Sequence, residues 1–247
     1  MRYHLPLFVF AFFCATILSG QFSDKSKNFK KFNGFFNFQH DPKEDKIYLE
    51  VSDLNKEFLY VYSLSSGIGS NDIGLDRGQL GNEQVVYFKK AGGKLLLVQP
   101  NMTFRALTDN ALEKKSVEQA FAKSILFGFK IVEESKGKYI IDITEFLMQD
   151  THGVAARLKR AKEGTYKLDK SKSAFALERT KAFPKNIEFD VDLTFKGEPT
   201  GINIKSVSPN SSLITVAQHH SFIELPDNNY KQREFDPRSG AGAFAYY

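Results

Sequence analysis

The sequence predicts an α+β fold, a mainly antiparallel β-sheet with one or two helices inserted. Three observations predict it. Ile187, Phe189, Val191, Leu193 and Phe195 alternate without a break with Glu188, Asp190, Asp192 and Thr194, the period of a strand with one face buried and one wet. Two polar, glycine-bearing links, Lys89–Gly93 and Ser135–Lys138, each separate a pair of apolar runs, as hairpin loops do. The aromatic content is skewed to 24 Phe and 10 Tyr with no Trp, and such side chains suit a pleated, half-buried surface.

The elements follow in order. Arg2 precedes an apolar run, Leu5 to Leu18, closed by Ser19 and Gly20 before polarity rises at Gln21. That succession is a secretory signal, so residues 1–20 are expected to be removed on export. The run is shorter than the roughly 20 residues a spanning helix needs, and no later stretch is apolar enough, so no transmembrane segment is expected after signal removal. Residues 21–31 are polar and Lys-rich and read as a flexible leader. From Phe32 the pattern becomes strand-like. Ile47–Val51 is one short strand. Phe58–Leu64, almost continuously apolar, is a second and central one. Gln84–Phe88 with Lys94–Val98, and Lys130–Glu134 with Tyr139–Ile143, form the two hairpins. Asn110 caps a helix, with Glu113 as its capping-box partner. Leu112, Val117, Ala120, Phe121, Ile125 and Phe129 recur at helical steps and carry it to Gly128. A second helical stretch covers part of Thr144–Lys162, with Gly153 as its weak point and Gly164 as its stop. After Phe195, Lys196–Gly201 turns the chain, and Ile202, Ile204 and Val207 return as a strand. Leu213–Leu225 is the last strand, ended by Pro226. The domain is placed at 32–234, with a sub-boundary near 100–110.

Composition removes several classes of function. With 247 residues, 42% hydrophobic and 26% charged, the chain is long enough to bury a core and is not globally disordered. A net charge of +5 is spread among interleaved acids, and its best cluster, Arg157–Arg160, reads as one helix face. A nucleic-acid groove needs clustered cations with stacking aromatics, so no nucleic-acid partner is expected. Cys14 is the only cysteine and lies in the signal, so the mature chain is expected to have no disulfide and no thiolate site.

No motif in the sequence forms a catalytic centre. Ser65–Gly81 packs five glycines between two strands. No Gly-Lys-Ser/Thr and no helix follows it, so it reads as a structural connection and not as a phosphate cradle. Asp72 or Asp76 paired with Arg77 would fix it. A calcium site on Asn71, Asp72 and Asp76 fails the spacing of known loops. His40 sits in a turn, His152 in Asp150–Gly153, and His219 and His220 are adjacent in a strand. Adjacent strand residues point to opposite faces, so one of that pair is expected buried and hydrogen-bonded and the other exposed. They do not serve one metal from a regular strand, and a site joining them to His152 would need a coincidence of fold. His-Glu-x-x-His and Gly-x-Ser-x-Gly are both absent. Asp190 and Asp192 read as a solvated edge. No catalytic, cofactor or metal residue is assigned.

Several segments together resemble a known family. They are Gly34–Phe36, Glu57–Tyr60, the loop Ser70–Leu80, Asp169–Ser173, Arg179–Asn186, His219–Asp227 and Phe235–Gly240. The chain resembles the amino-terminal, unknown-function region of bacterial exported zinc-dependent metalloproteases of the metzincin type. The resemblance implies that the zinc motif and the zinc lie in a downstream catalytic domain of the same polypeptide, which is then the partner. No zinc ligand here matches, so no cofactor is expected in this chain. The implied location is exported: periplasmic, outer-membrane-associated or extracellular. The segment 235–247, with Asp236, Arg238, Tyr246 and Tyr247, is expected to form the joint to that domain, together with the loop residues Asn71, Asp72, Asp76 and Arg77. The alternative is a stand-alone exported binding module.

Overall fold

A computed structural model of the chain describes residues 22, 24–227, 229–231 and 238. The apolar runs form thirteen strands among them: β1 (Lys30–Phe32), β2 (Phe38–Asp41), β3 (Lys46–Val51), β4 (Phe58–Ser66), β5 (Leu80–Ala91), β6 (Lys94–Gln99), β7 (Ser124–Ser135), β8 (Lys138–Asp142), β9 (Gly164–Leu168), β10 (Ala174–Phe175), β11 (Lys181–Phe183), β12 (Asn186–Pro199) and β13 (Leu213–Glu224). Four short helices interrupt them: α1 (Ala111–Ala120), α2 (Thr144–Leu147), α3 (Val154–Arg160) and α4 (Ile202–Val207). Every pairing is antiparallel. The mainly antiparallel sheet is therefore as the sequence predicts, with few helices.

The strands pair in the order β1-β2-β3-β8-β7-β6-β5-β4-β13-β12-β10, and β9 and β11 also pair with β12. Twist coils so long a sheet back on itself. Phe38 of β2 and Phe189 of β12, far apart in the strand order, meet with ring centroids 4.8 Å apart. The Phe35 N–H donates to the Phe183 carbonyl at 2.8 Å on the same side. One hydrophobic core fills the interior, with residues from both sides of positions 100–110. Phe58, Tyr60, Phe88, Phe129 and Phe222 are all fully buried in it, which is where the Phe-rich composition goes. β4 lies between β13 and β5, inside the sheet as expected. In β12, Ile187, Phe189, Val191, Leu193 and Phe195 all face inward and are fully buried.

Turn chemistry sets both hairpins. Lys136 and Gly137 both have positive φ, 50° and 78°, as a two-residue turn of type I′ requires. The first hairpin turns only on Gly92 and Gly93, and Lys89, Lys90 and Ala91 belong to β5.

Five expectations are corrected. Residues 24–31 are not a free leader. β1 pairs with β2, and Phe22 and Phe29 are buried against Tyr48; burying each such ring stabilises by roughly 1.5–3 kcal/mol. The first helix stops at Ala120, because Ser124–Lys130 pairs with β6. Ile125 and Phe129 therefore serve a strand. The Asn110 side chain does cap the helix, accepting from Leu112 N at 2.9 Å. Its own N–H donates to Thr108 and not to Glu113, so no capping box closes. The stretch 144–162 is as expected in part helical and breaks at its weak point, holding α2 and α3 with Gly153 at φ 77° before the second. Ile202–Val207 is a helix and not a strand. The buried Glu163 carboxylate accepts from Ile204 N at 2.9 Å and from Asn203 Nδ2 at 2.9 Å, capping that helix from forty-one residues away. Finally, His40 is not in a turn. It lies in β2, is buried, and contacts Asp45 at 2.8 Å.

Candidate functional site

The β12–β13 register sets Asp190 directly opposite His219 and Glu188 opposite Ser221. These side chains occupy the outer face of the sheet, where cross-strand neighbours meet. His219 Nδ1 lies 2.8 Å from Asp190 Oδ2, and Nε2 lies 2.7 Å from Glu188 Oε2. Ser65 of β4 donates to Asp190, and Ser221 donates to Glu188. Arg179 reaches the same face, Nη2 donating to Asp192 at 2.8 Å and Nε standing 3.5 Å from Asp190.

The expectation that Asp190 is solvated is overturned: it is 3% exposed. Hydrogen bonds to Asp190 and then Glu188 raise the His219 pKa to about 9, against the opposing effect of burial. Burial raises the carboxyls of Glu188 and Asp190. Their bonds from His219, and from Ser221 and Ser65 respectively, outweigh it and hold both below the usual carboxylate range. His219 is therefore an imidazolium at neutral pH, donating from both nitrogens. A general base needs a bare nitrogen, and both ring nitrogens are engaged by carboxylates. The cluster ties three strands together with charge.

His220 points to the opposite face, as the strand period requires, and is fully buried. Burial depresses its pKa to about 3, so it is neutral. The Gln218 side chain fixes its tautomer. Gln218 Oε1 accepts from His152 N at 2.9 Å, and Gln218 Nε2 donates to the Gln149 carbonyl at 2.8 Å. The second Nε2 hydrogen points at His220 Nε2, 2.9 Å away, which must be bare to accept it. A proton there, directed at the Leu147 carbonyl at 3.2 Å, would set two donors against each other. His220 thus carries its proton on Nδ1 and donates to Tyr60 Oη at 2.8 Å. His152 joins this network through its backbone, while its half-buried ring meets Gln79 at 3.3 Å. Among the described residues, no three His, Cys, Asp or Glu side chains are arranged to hold a metal ion.

The glycine-rich loop is held by apolar plugs and one cation. Ile68, Ile73 and Leu75 are buried in the core, and Ile68 N donates to the Leu75 carbonyl at 2.9 Å. A Cβ on Gly67 would stand 2.2 Å from that carbonyl oxygen, so only glycine fits. Arg157 Nε donates to the Ile73 carbonyl at 2.6 Å. Asn71, Asp72 and Arg77 are exposed, and among the described residues no ion pair joins Asp72 or Asp76 to Arg77. The cation that fixes the loop is Arg157, which the sequence offers only as part of a basic helix face. Arg238 is exposed. Asp236, Tyr246 and Tyr247 lie outside the described residues.

A second feature is an arm, residues 100–123, which leaves β6 and returns to β7. Phe104 and Phe121 stack at 4.1 Å near its base. Leu107 is 93% and Leu112 76% exposed, and Ile125 at the start of β7 is also exposed.

Two family profiles match. One, a domain of unknown function designated DUF5117, covers residues 78–246. The other, a domain of unknown function designated DUF5118, covers residues 21–67. No curated protein and no solved structure matches the chain. With more than half of its length inside the first profile, the chain belongs to the DUF5117 family.

Proposed function

We propose that this chain is the non-catalytic, amino-terminal accessory region of an exported zinc metalloprotease, working beside a catalytic domain carried downstream in the same polypeptide. The observation that carries the non-catalytic part is how His219 and His220 are engaged. His219 gives both ring nitrogens to carboxylates, and His220 is sealed in the core as a neutral ring. The protease part is supported by the resemblance of the loop Ser70–Leu80 and of Phe235–Gly240. The zinc then belongs to the downstream domain, and the segment 235–247 with the Gly-rich loop supplies the joint. Export rests on the apolar run Leu5–Leu18 and the polarity step at Gln21.

Three measurements test this. The reading frame beyond the Tyr247 codon should encode His-Glu-x-x-His, and a frame lacking it sinks the protease reading. The purified chain should neither hold stoichiometric zinc nor cleave casein, and one tightly bound zinc per chain would overturn the non-catalytic reading. Amino-terminal sequencing of the exported protein should begin within a few residues of Gln21. A second reading, an exported binding module, draws on the exposed apolar side chains of the 100–123 arm.

A further inference from the structure

We infer that the chain pairs with a second copy of itself, the 100–123 arm of each protomer seated on an acidic hollow of the other. The arm is incomplete alone. None of the ten residues of α1 is buried, and a free helix of that length is marginal in water, because helices in proteins draw their stability from packing. The excursion is closed at its base by Asn101 Nδ2 donating to the Ala122 carbonyl at 3.3 Å and by the Phe104–Phe121 stack. Leu107 and Leu112 are left in solvent. Large exposed apolar side chains gathered in one segment mark interaction surfaces.

Charge identifies the occupant. The groove of about 360 Å³ beneath the arm is lined by Lys89, Arg105, Lys114 and Lys123 against Glu57 and Glu118. A neighbouring hollow of about 270 Å³ has the opposite sign: Glu50, Asp53, Glu57 and Glu224 against Lys56. Glu50 is already paired with Lys138 at 2.8 Å. Among the described residues no ion pair engages Asp53, Glu57 or Glu224. Half-buried Phe35 and Phe36, with Pro184, line part of the mainly polar hollow, so it offers an aromatic edge to a leucine and carboxylates to the lysines of the arm. Glu57 lines both features, so they adjoin on one face. A two-fold axis there lets each arm meet the other protomer's hollow, a self-complementary isologous contact. The inference goes beyond both readings above and does not depend on the protease assignment.

Sedimentation equilibrium of the purified chain tests it. A monomer–dimer equilibrium is expected, weakening with salt as steered charge pairs do. The arm variant Lys114→Glu with Lys123→Glu, the hollow variant Asp53→Lys with Glu224→Lys, and Leu107→Asp should each raise the dimer dissociation constant about tenfold or more. These side chains are at the surface, and far-UV circular dichroism checks that each variant folds. Mixing the two charge-reversed variants should restore dimers, because reversed arm then faces reversed hollow and native arm faces native hollow. The inference is overturned if the unsubstituted chain is monomeric at its highest soluble concentration, if a dimer survives the reversals, or if mixing fails to restore it.

Discussion

Asp190 Oδ2 stands 2.8 Å from His219 Nδ1 across the β12–β13 pair. The contact joins a carboxylate and an imidazolium that are both largely withdrawn from water, and Glu188 completes the arrangement from the other side of the ring. Its consequence is a pH dependence of stability. The His219 pKa is raised in the fold from an ordinary 6.5 to about 9. The stability it contributes is therefore fully present below about 6.5 and is lost as pH rises through about 9. Each tenfold gain in proton affinity is about 1.4 kcal/mol; solvent at the quarter-exposed ring reduces the total, so about 2 kcal/mol is expected. The carboxylates act at the other end: their depressed pKa values stabilise above the ordinary carboxylate range and cease to as pH falls below it. Thermal midpoints should hold a plateau between, and His219→Gln should flatten the limb from pH 7 to 10. A native alkaline limb unchanged by that substitution would refute the account.

The His220 tautomer gives a second test. Nitrogen NMR should show the proton on Nδ1 at all accessible pH. Tyr60→Phe removes the acceptor and leaves a buried N–H unsatisfied, which costs about 1–3 kcal/mol in denaturant unfolding. A Tyr60→Phe protein as stable as the native one, or an Nε2-protonated ring, contradicts the network.

Glu163 caps α4 from a distant part of the chain. Glu163→Ala should destabilise by about 1–2 kcal/mol and speed amide exchange at Asn203–Ser206. Glu163→Gln keeps one acceptor oxygen and should cost less. A Glu163→Gln protein destabilised as much as Glu163→Ala would contradict the retained-acceptor account, because Gln keeps both the bulk and one acceptor oxygen.

Arg157 should control the order of the glycine-rich loop. Arg157→Leu keeps the aliphatic stem and removes the bond to the Ile73 carbonyl, a loss of about 1.5–3 kcal/mol for a charged donor. Limited proteolysis between Gly69 and Gln79 should accelerate. Arg77→Leu should leave the cleavage rate unchanged, because Arg157 and not Arg77 bonds to the loop.

Periodicity and local turn chemistry were legible in the chain's residues alone. The inward row Ile187–Phe195, the opposite faces of His219 and His220, the central β4 and the turns at Gly92 and Gly137 follow from two-residue alternation and from φ preferences carried by a few adjacent residues. Features that depend on residues far apart in the chain emerged only once the chain was folded. Asp190 reads as solvated until β13 lays His219 across it, and that register spans a connection containing a helix. Ile202–Val207 alternates well enough to pass for a strand, but Glu163 supplies the cap that makes it helical. Phe22 and Phe29 look stranded among lysines until Tyr48 arrives to bury them. Ile125 and Phe129 fit helical spacing, yet pairing with β6 satisfies their backbone in a strand. In each case the local preference is worth a few tenths to one kcal/mol per residue, and a buried side chain or a satisfied buried charge outweighs it.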